Sequence, residues 1–372
     1  MKKLIIYHNF KENYIVSYPV QLMYLMFYDD KIKNYLKNNN MQVISLLDYF
    51  INEEDKNKII KDNFKLCDKE IMEIQERTSD NFINNYFLKC EEFSNSVIIG
   101  FHHEGFDMIL GKNYDKFKSK NCKIYLWQDD LHYFNKINKI PYDAPVADFR
   151  LDKVDYILTP SIKYFQNISS PYLSKTINYY YCFNENVFNK IDVNWSDRIN
   201  KIVLTGSVCH GYPVRRMLHL AYKNYKKNKK DPIGKLIEHI PHIGGDRIIF
   251  NDKNGINYYA QLCKYKAAVF GFYKHPLNYP LAKIMEFLIC GNLAFLEYNS
   301  CLDELGLVKF KHYVPVLKNC KNELVMDNLE YYEKYLNSNI GEKIAKQGCI
   351  FARNKFTMMN KVKEFLQINN SN

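Results

Sequence analysis

The sequence predicts an α/β protein of two Rossmann-like, doubly wound domains facing each other across a cleft, and three observations carry that expectation. Short apolar runs alternate with helix-patterned segments through the first half of the chain, as they do in parallel sheets. A second alternating series begins near Lys201. Between them, FNENVFNKIDVNWSDRIN (Phe183 to Asn200) is polar, punctuated by aromatics and without clear period, the composition of an interdomain connection. At 372 residues the chain also exceeds the usual size of a single core. The expected domains are residues 1–185 and 186–372.

Each element follows from its local pattern. LIIYH (Leu4 to His8) reads as a buried strand, and Ser17 to Asn38 as a long helix with Ser17 as N-cap and Pro19 in its first turn. QVISL (Gln42 to Leu46) reads as the next strand. Charged helical segments, roughly Tyr49 to Lys61 and Lys69 to Glu92, form an excursion before the strands SVIIGF, KIYLWQ and DYILTP. The second series runs KIVLTG (Lys201 to Gly206), a helix near Val214 to Lys226, RIIF, a helix near Tyr258 to Lys264, AAVFGF, an apolar helix within LAKIMEFLICG, then NLAFLE and YVPV. A last helix is expected around Asn354 to Gln367. Neither a GxGxxG nor a Walker loop is present, which removes the simplest dehydrogenase and P-loop readings.

With 47% hydrophobic and 25% charged residues the composition is that of a globular chain. The formal charge of +11 attracts anions, and nucleic acid, anionic lipid and phosphorylated small molecules all qualify. The densest basic cluster, Lys223, Lys226, Lys227, Lys229 and Lys230, reads as a solvated helix end. Ten cysteines are scattered singly from Cys67 to Cys349, which argues against a zinc site or a disulfide scaffold and fits a reducing compartment. The opening MKKLIIYHNF is interrupted too early for a signal peptide, and Lys283 and Glu286 break the best candidate for a membrane span. A soluble cytoplasmic protein without a transmembrane segment is the expectation.

Ligands of open parallel sheets bind beyond the carboxyl ends of the strands, so the loops leaving those strands hold the candidates. In LTGSVCHGYPVRRML, Gly206 and Ser207 permit close backbone approach just past a strand, and Arg215 and Arg216 enter the following helix. A helix amino end with small residues and arginines suits a diphosphate; one arginine is expected to serve it and the other to lie on the surface. GFYKHPLNYPLAKIMEF carries Lys274 and His275 and launches the helix that holds Lys283 and Glu286. Those two are three apart and share a face, so a plain intrahelical salt bridge is the alternative to a ligand role. A carboxylate inside an apolar run needs a specific polar partner, and Glu286 can accept both hydroxyl protons of a ribose while Lys283 or nearby amides meet phosphate oxygens.

Taken together, TGSVCHGYPVRR, PLAKIMEFLICGNLAFLE, HYVPVLKNCKNEL and GEKIAKQGCIFARNKFTMMNKVKEFL resemble the carboxyl-terminal half of GT-B glycosyltransferases, nearest to the group 1 and spore-maturation types. The likeness spans about residues 200 to 368; the amino-terminal half matches only in layout. It implies an amino-terminal acceptor domain, a carboxyl-terminal nucleotide-sugar domain, and a final stretch, 355–372, that packs back on the first domain. It assigns Glu286 to the ribose, Gly206, Ser207 and Arg215 or Arg216 to the diphosphate, and HIPHIGGDRIIF, with His242, to the wall near the base. Lys274 and Lys283 complete the donor set. Many retaining relatives carry an acidic residue eight positions before the ribose glutamate; here Asn278 stands there, which leaves the stereochemistry open.

The groups around the acceptor are sought at the amino-terminal strand ends. GFHHEGF offers His102, His103 and Glu104, and YLWQDDLHYF offers Asp129, Asp130 and His132. Asp130, His132 and His103 are the candidates for touching acceptor or donor sugar and for acting as base; helix capping by Asp129 or Asp130 is the plain alternative. No complete metal-ligand set with standard spacing follows, and the resemblance implies no essential metal and no cofactor beyond the nucleotide-sugar co-substrate. The expected activity is transfer from a UDP- or GDP-sugar to a hydroxyl on a glycan, a protein or a small molecule. A DNA-modifying glucosyltransferase, for which the positive charge gives a motive, and a non-catalytic nucleotide-sugar-binding module are the competing readings.

Overall fold

The computed structural model describes residues 1–7, 26–61, 68–101, 106–127, 151–160, 162–167, 172–188, 191–206, 208, 212–240, 256–272, 282–317 and 328–371. They divide into two compact units, the first made of Met1–Cys182 with Lys361–Asn372, the second of Phe183–Asn360.

The first unit is built on six strands: β1 (Lys2–Tyr7), β2 (Met41–Ser45), β3 (Val97–Phe101), β4 (Lys123–Trp127), β5 (Tyr156–Thr159) and β6 (Thr176–Asn178). They lie in the order β2-β1-β3-β4-β5-β6, and every neighbouring pair runs parallel. All five residues of β3 are buried, as expected of a central strand covered on both faces. The helices joining the strands are α1 (Asp30–Asn38), α2 (Glu53–Lys61), α3 (Asp68–Phe82), α4 (Phe106–Ser119) and α5 (Ile162–Asn167). The sequence reading of one helix from Ser17 to Asn38 is corrected at its described end. A 3-10 turn at Met26–Tyr28 precedes α1, and the Asp29 carboxylate accepts the amides of Lys31 (3.0 Å) and Ile32 (3.2 Å), a new N-cap inside the expected helix. Ser17 and Pro19 lie outside the described residues. The helix expected from Lys69 to Glu92 likewise ends at Phe82, continues as a π turn over Ile83–Phe87, and gives way to a 3-10 turn at Glu91–Phe93.

The second unit carries a five-stranded parallel sheet of β7 (Ile199–Thr205), β8 (Ile237–Ile240), β9 (Tyr265–Phe270), β10 (Leu293–Leu296) and β11 (Val314–Pro315), in the order β11-β10-β9-β7-β8. Its helices are α6 (Glu185–Phe188), α7 (Pro213–Asn228), α8 (Ile256–Cys263), α9 (Ala282–Ile289), α10 (Ser300–Glu304), α11 (Leu329–Leu336) and α12 (Asn339–Lys355). One core joins Ile202 and Leu204 of β7 to Val214 and Leu218 of α7, Val269 of β9, Phe295 of β10 and Ile344 of α12. The sequence names RIIF (residues 247–250) as the strand after α7; that stretch lies outside the described residues, and the strand beside β7 is IEHI at Ile237–Ile240. Glu238 and His239 interrupt its apolar run, which hid it from pattern reading.

The expected final helix contains a break. α12 ends at Lys355 and α13 (Met358–Ser371) starts three residues on. Between them Phe356 accepts the Phe183 amide (2.9 Å), and the Met358 amide donates to the Phe183 carbonyl (3.1 Å) and to Glu185 Oε2 (3.1 Å). Pairing with Phe183 thus takes these backbone groups out of the helical ladder. The end of α13 belongs to the first unit, where Phe365 packs edge-on against Phe27 (5.8 Å) and Tyr125 (5.4 Å), and the Tyr179 hydroxyl donates to the Lys361 carbonyl (2.7 Å). Among the described residues no helix is long and apolar enough to cross a membrane.

Candidate functional site

In the second unit strand order reverses between β7 and β9, and a crevice beyond the carboxyl ends of those two strands is where such sheets take ligands. β7 delivers Thr205 and Gly206 there, and β9 delivers Phe270 and Gly271. Gly206 has φ +90°, a left-handed conformation that L side chains rarely adopt. A Cβ built on it would lie 2.8 Å from Arg215 Nη1 and 3.8 Å from Lys283 Cε, so the missing side chain is what lets both cations approach this turn. Gly271 does related work for the backbone: a Cβ there would sit 2.3 Å from Val214 Cβ, so the first turn of α7 packs directly on the end of β9.

α7 begins with Pro213 at its first position, suited to a helix start because proline has no amide to leave unpaired. The two arginines that follow part company. Arg215 is buried (3% exposed), its guanidinium 4.1 Å from the Tyr212 ring centre and 4.9 Å from that of Phe270. Arg216, one residue on, is exposed. The helical rotation of about 100° per residue turns one side chain inward and the other out.

The carboxylate of Glu286 is 1% exposed on α9. Its Oε2 accepts from Lys283 Nζ at 2.7 Å and from the Tyr258 hydroxyl at 2.9 Å. Lys283, one turn earlier and 14% exposed, also donates to the Tyr258 hydroxyl (2.9 Å) and lies 4.6 Å from its ring centre. Tyr258 Oη is 3.4 Å from Thr205 Oγ1, which ties the network back to the end of β7. Burial, and then the charge of Glu286, hold the Tyr258 hydroxyl far above the usual phenol range, so it remains a neutral donor. The intrahelical salt bridge expected as the plain alternative is therefore present, though it is buried and shared with a third residue. Among the described residues Glu286 Oε1 accepts no hydrogen bond, and two of the three ammonium protons of Lys283 are engaged.

The described chain thus gathers Gly206, Arg215, Lys283 and Glu286 around one strand end, with Arg216 turned away. Sequence reasoning missed Tyr258 and Thr205. A buried tyrosine hydroxyl must find a partner, and a threonine directly before Gly206 stands at the strand end; those were the available signals. Ser207, His242, Lys274 and Asn278, and the acceptor-side candidates His103, Asp130 and His132, lie outside the described residues.

This arrangement offers a buried guanidinium, an ammonium with one donor in reserve, a glycine turn and a carboxylate oxygen still able to accept. That is the equipment for an anionic group joined to a hydroxylated one.

No protein-family description and no curated protein sequence matches the chain. Solved structures match by fold. Sucrose-phosphate synthase from Thermosynechococcus elongatus superposes with a TM-score of 0.58 at 10% identity, over 100% of this chain and 99% of that one. HepE from Anabaena, in complex with UDP and glucose, gives 0.52 at 10% identity over 100% of both chains. The pneumococcal O-GlcNAc transferase GtfA, in complex with UDP and GlcNAc, matches at 9% identity with a TM-score of 0.46; the chain covers 60% of its length, less than two thirds. Two parallel-sheet α/β units matched end to end by sucrose-phosphate synthase and HepE define the GT-B fold of the glycosyltransferases. The narrower likeness to spore-maturation enzymes finds no counterpart among them.

Proposed function

We propose that the chain is a glycosyltransferase whose second unit binds a nucleotide-sugar donor. The observation that carries this is the convergence of Gly206, Arg215, Lys283 and Glu286 at the carboxyl end of β7, in a fold shared with HepE, whose structure holds UDP and glucose. In this reading Glu286 Oε1 takes a ribose hydroxyl proton, and the third proton of Lys283 reaches a phosphate oxygen. Because Oε2 already holds two donors, a grip on both ribose hydroxyls requires Lys283 to leave Oε2 for the diphosphate. Arg215 and Lys283 then steady the negative charge that grows on the departing diphosphate, and protein cations serve without a resident metal. The donor is a UDP- or GDP-sugar and the acceptor a hydroxyl of a glycan, protein or small molecule, aligned by groups of the first unit, with Asp130, His132 and His103 as the candidate base or acceptor contacts.

Thermal unfolding with UDP, GDP, ADP and CMP tests the reading. A nucleotide at about 100 times its Kd adds about 2.7 kcal/mol of stability. UDP or GDP is expected to raise Tm, and Glu286→Ala to abolish the rise. A rise of the same size in Glu286→Ala refutes the ribose assignment. Loss of turnover in EDTA with nucleotide binding intact refutes metal independence.

A further inference from the structure

The amino end of the six-stranded sheet holds a second cluster of charge that the donor reading does not use. Parallel pairing aligns the strand starts there: Leu4 and Lys123 both pair with Val97, so Lys2 at the head of β1 and Lys123 at the head of β4 emerge on the same rim. Asn95 and Asn121 turn the chain into β3 and β4 with φ of 59° and 55°, values that asparagine tolerates, and Asn121 Nδ2 donates to Asn95 Oδ1 at 2.7 Å. These residues, with Lys118 and Asp155, line a cavity of about 430 Å3.

Its charge is unbalanced. Asp155 contributes the carboxylate of the lining, and both its oxygens lie 2.9 Å from Lys118 Nζ while Oδ2 also accepts the Ile124 amide (2.8 Å). Lys118 and Asp155 therefore neutralise one another. Lys123 Nζ donates to the Asn369 carbonyl (3.3 Å), and among the described residues no carboxylate pairs with Lys2. Among the described residues, two ammonium groups remain on one rim with no anion between them. Partial burial and the neighbouring charge of Lys123 both work against the charged form of Lys2, whose pKa is lowered. A group in that position is relieved by an anion, and a lysine pair acts on a phosphate as two point charges.

We propose that this cavity binds the phosphate of a small phosphorylated metabolite, held between Lys2 and Lys123. The space exceeds what a bare phosphate fills and matches a phosphate carrying a sugar-sized or nucleoside-sized body. Tyr156, which lines the cavity and stacks on Tyr125 at 5.0 Å and 23°, offers that body a flat wall. The site stands on residues of the first unit alone and does not depend on the glycosyltransferase reading.

The test is calorimetric titration of the whole chain with inorganic pyrophosphate and with AMP at fixed ionic strength. Saturable binding is expected, weakened about tenfold or more in Lys2→Gln/Lys123→Gln and unchanged in Lys226→Gln/Lys227→Gln, which removes the same charge elsewhere. AMP binding more tightly than inorganic pyrophosphate supports a body-holding site; equal binding limits it to the phosphate group. A second measurement needs no variant: acetylation of lysines followed by mass spectrometry, with and without pyrophosphate. Slower modification of Lys2 and Lys123 supports the site. Absence of saturable binding, equal weakening in both double variants, or protection confined to Lys283 overturns it; in the last case the ligand sits in the second unit.

Discussion

Replacing Lys283 by methionine asks how much the second unit depends on neutralising one buried carboxylate. The substitution keeps the length and apolar stem of the side chain and removes the ammonium that stands 2.7 Å from Glu286 Oε2. Glu286 is 1% exposed, so the remaining carboxylate keeps one donor, Tyr258 at 2.9 Å, and has almost no water to turn to. Breaking a buried pair by deleting one partner costs about 3–5 kcal/mol. The 14% exposure of Lys283 admits some solvent and sets the expectation at the lower end, about 3 kcal/mol. For a unit of this size, each kcal/mol moves Tm by about 2–4 °C, so Lys283→Met is expected to lower Tm by about 6–12 °C in a calorimetric melt. The companion Lys283→Met/Glu286→Gln removes the stranded charge and is expected to recover much of the loss, a coupling that only a double-mutant cycle reveals. A fall of less than about 2 °C in the single variant, or a double variant no better than it, would show that the carboxylate is not held by this lysine and would refute the reasoning.

Other expectations follow from neighbouring geometry. Gly271→Ala drives a Cβ into Val214 at 2.3 Å and is expected to destabilise the unit by about 1–3 kcal/mol, read as a lowered denaturant midpoint at unchanged slope. Gly206→Ala places its Cβ 2.8 Å from Arg215 Nη1 in a left-handed turn; nucleotide affinity is expected to fall about tenfold or more by calorimetry, while circular dichroism stays native. His219 and His239 stack edge-on at 4.6 Å, with Lys223 nearby, and burial first, then these cations, holds both below the ordinary histidine value. Their contribution is complete above about pH 6.5 and is lost as pH falls below it, because the unfolded chain takes up the protons first. Tm is expected to decline as pH falls below about 6.5, less steeply in His239→Gln; an equal decline in that variant would remove the pair as the cause.

How much of this was written in the sequence depends on the kind of signal. Strands buried on both faces announce themselves, and SVIIGF, KIYLWQ and AAVFGF each lie where an apolar run placed them. IEHI did not, because a strand that among the described residues pairs only with β7 tolerates Glu238 and His239, which pair with or approach polar neighbours, Lys201 Nζ meeting Glu238 Oε2 at 2.9 Å. Helix ends were less legible than helices. Asp29 captures two amides within a run that periodicity reads as continuous, and the interruption after Lys355 comes from Phe183, a partner far away in the chain that no local pattern contains. At the site, Lys283 and Glu286 are three apart on one helix, so their meeting was readable; the joining of Gly206 to Arg215 was foreshadowed by a glycine turn before a basic helix start. Tyr258 was not, since its place depends on how α8 packs beside α9. Nothing local distinguishes it from the adjacent Tyr259, which is also buried.

The return of residues 361–372 to the first unit bears on the order in which that unit can be assembled. Phe365 fills the space between Phe27 and Tyr125, and Lys361 offers its carbonyl to the hydroxyl of Tyr179, so the earlier-synthesised half keeps an open aromatic seat until residues 361–371 have been made. An excised fragment ending at residue 182 would carry that seat uncovered, with Phe27, Tyr125 and Tyr179 facing water. The two halves are consequently not separable at a single cut: a version of the leading half meant to stand alone must be supplied with its own copy of the closing segment.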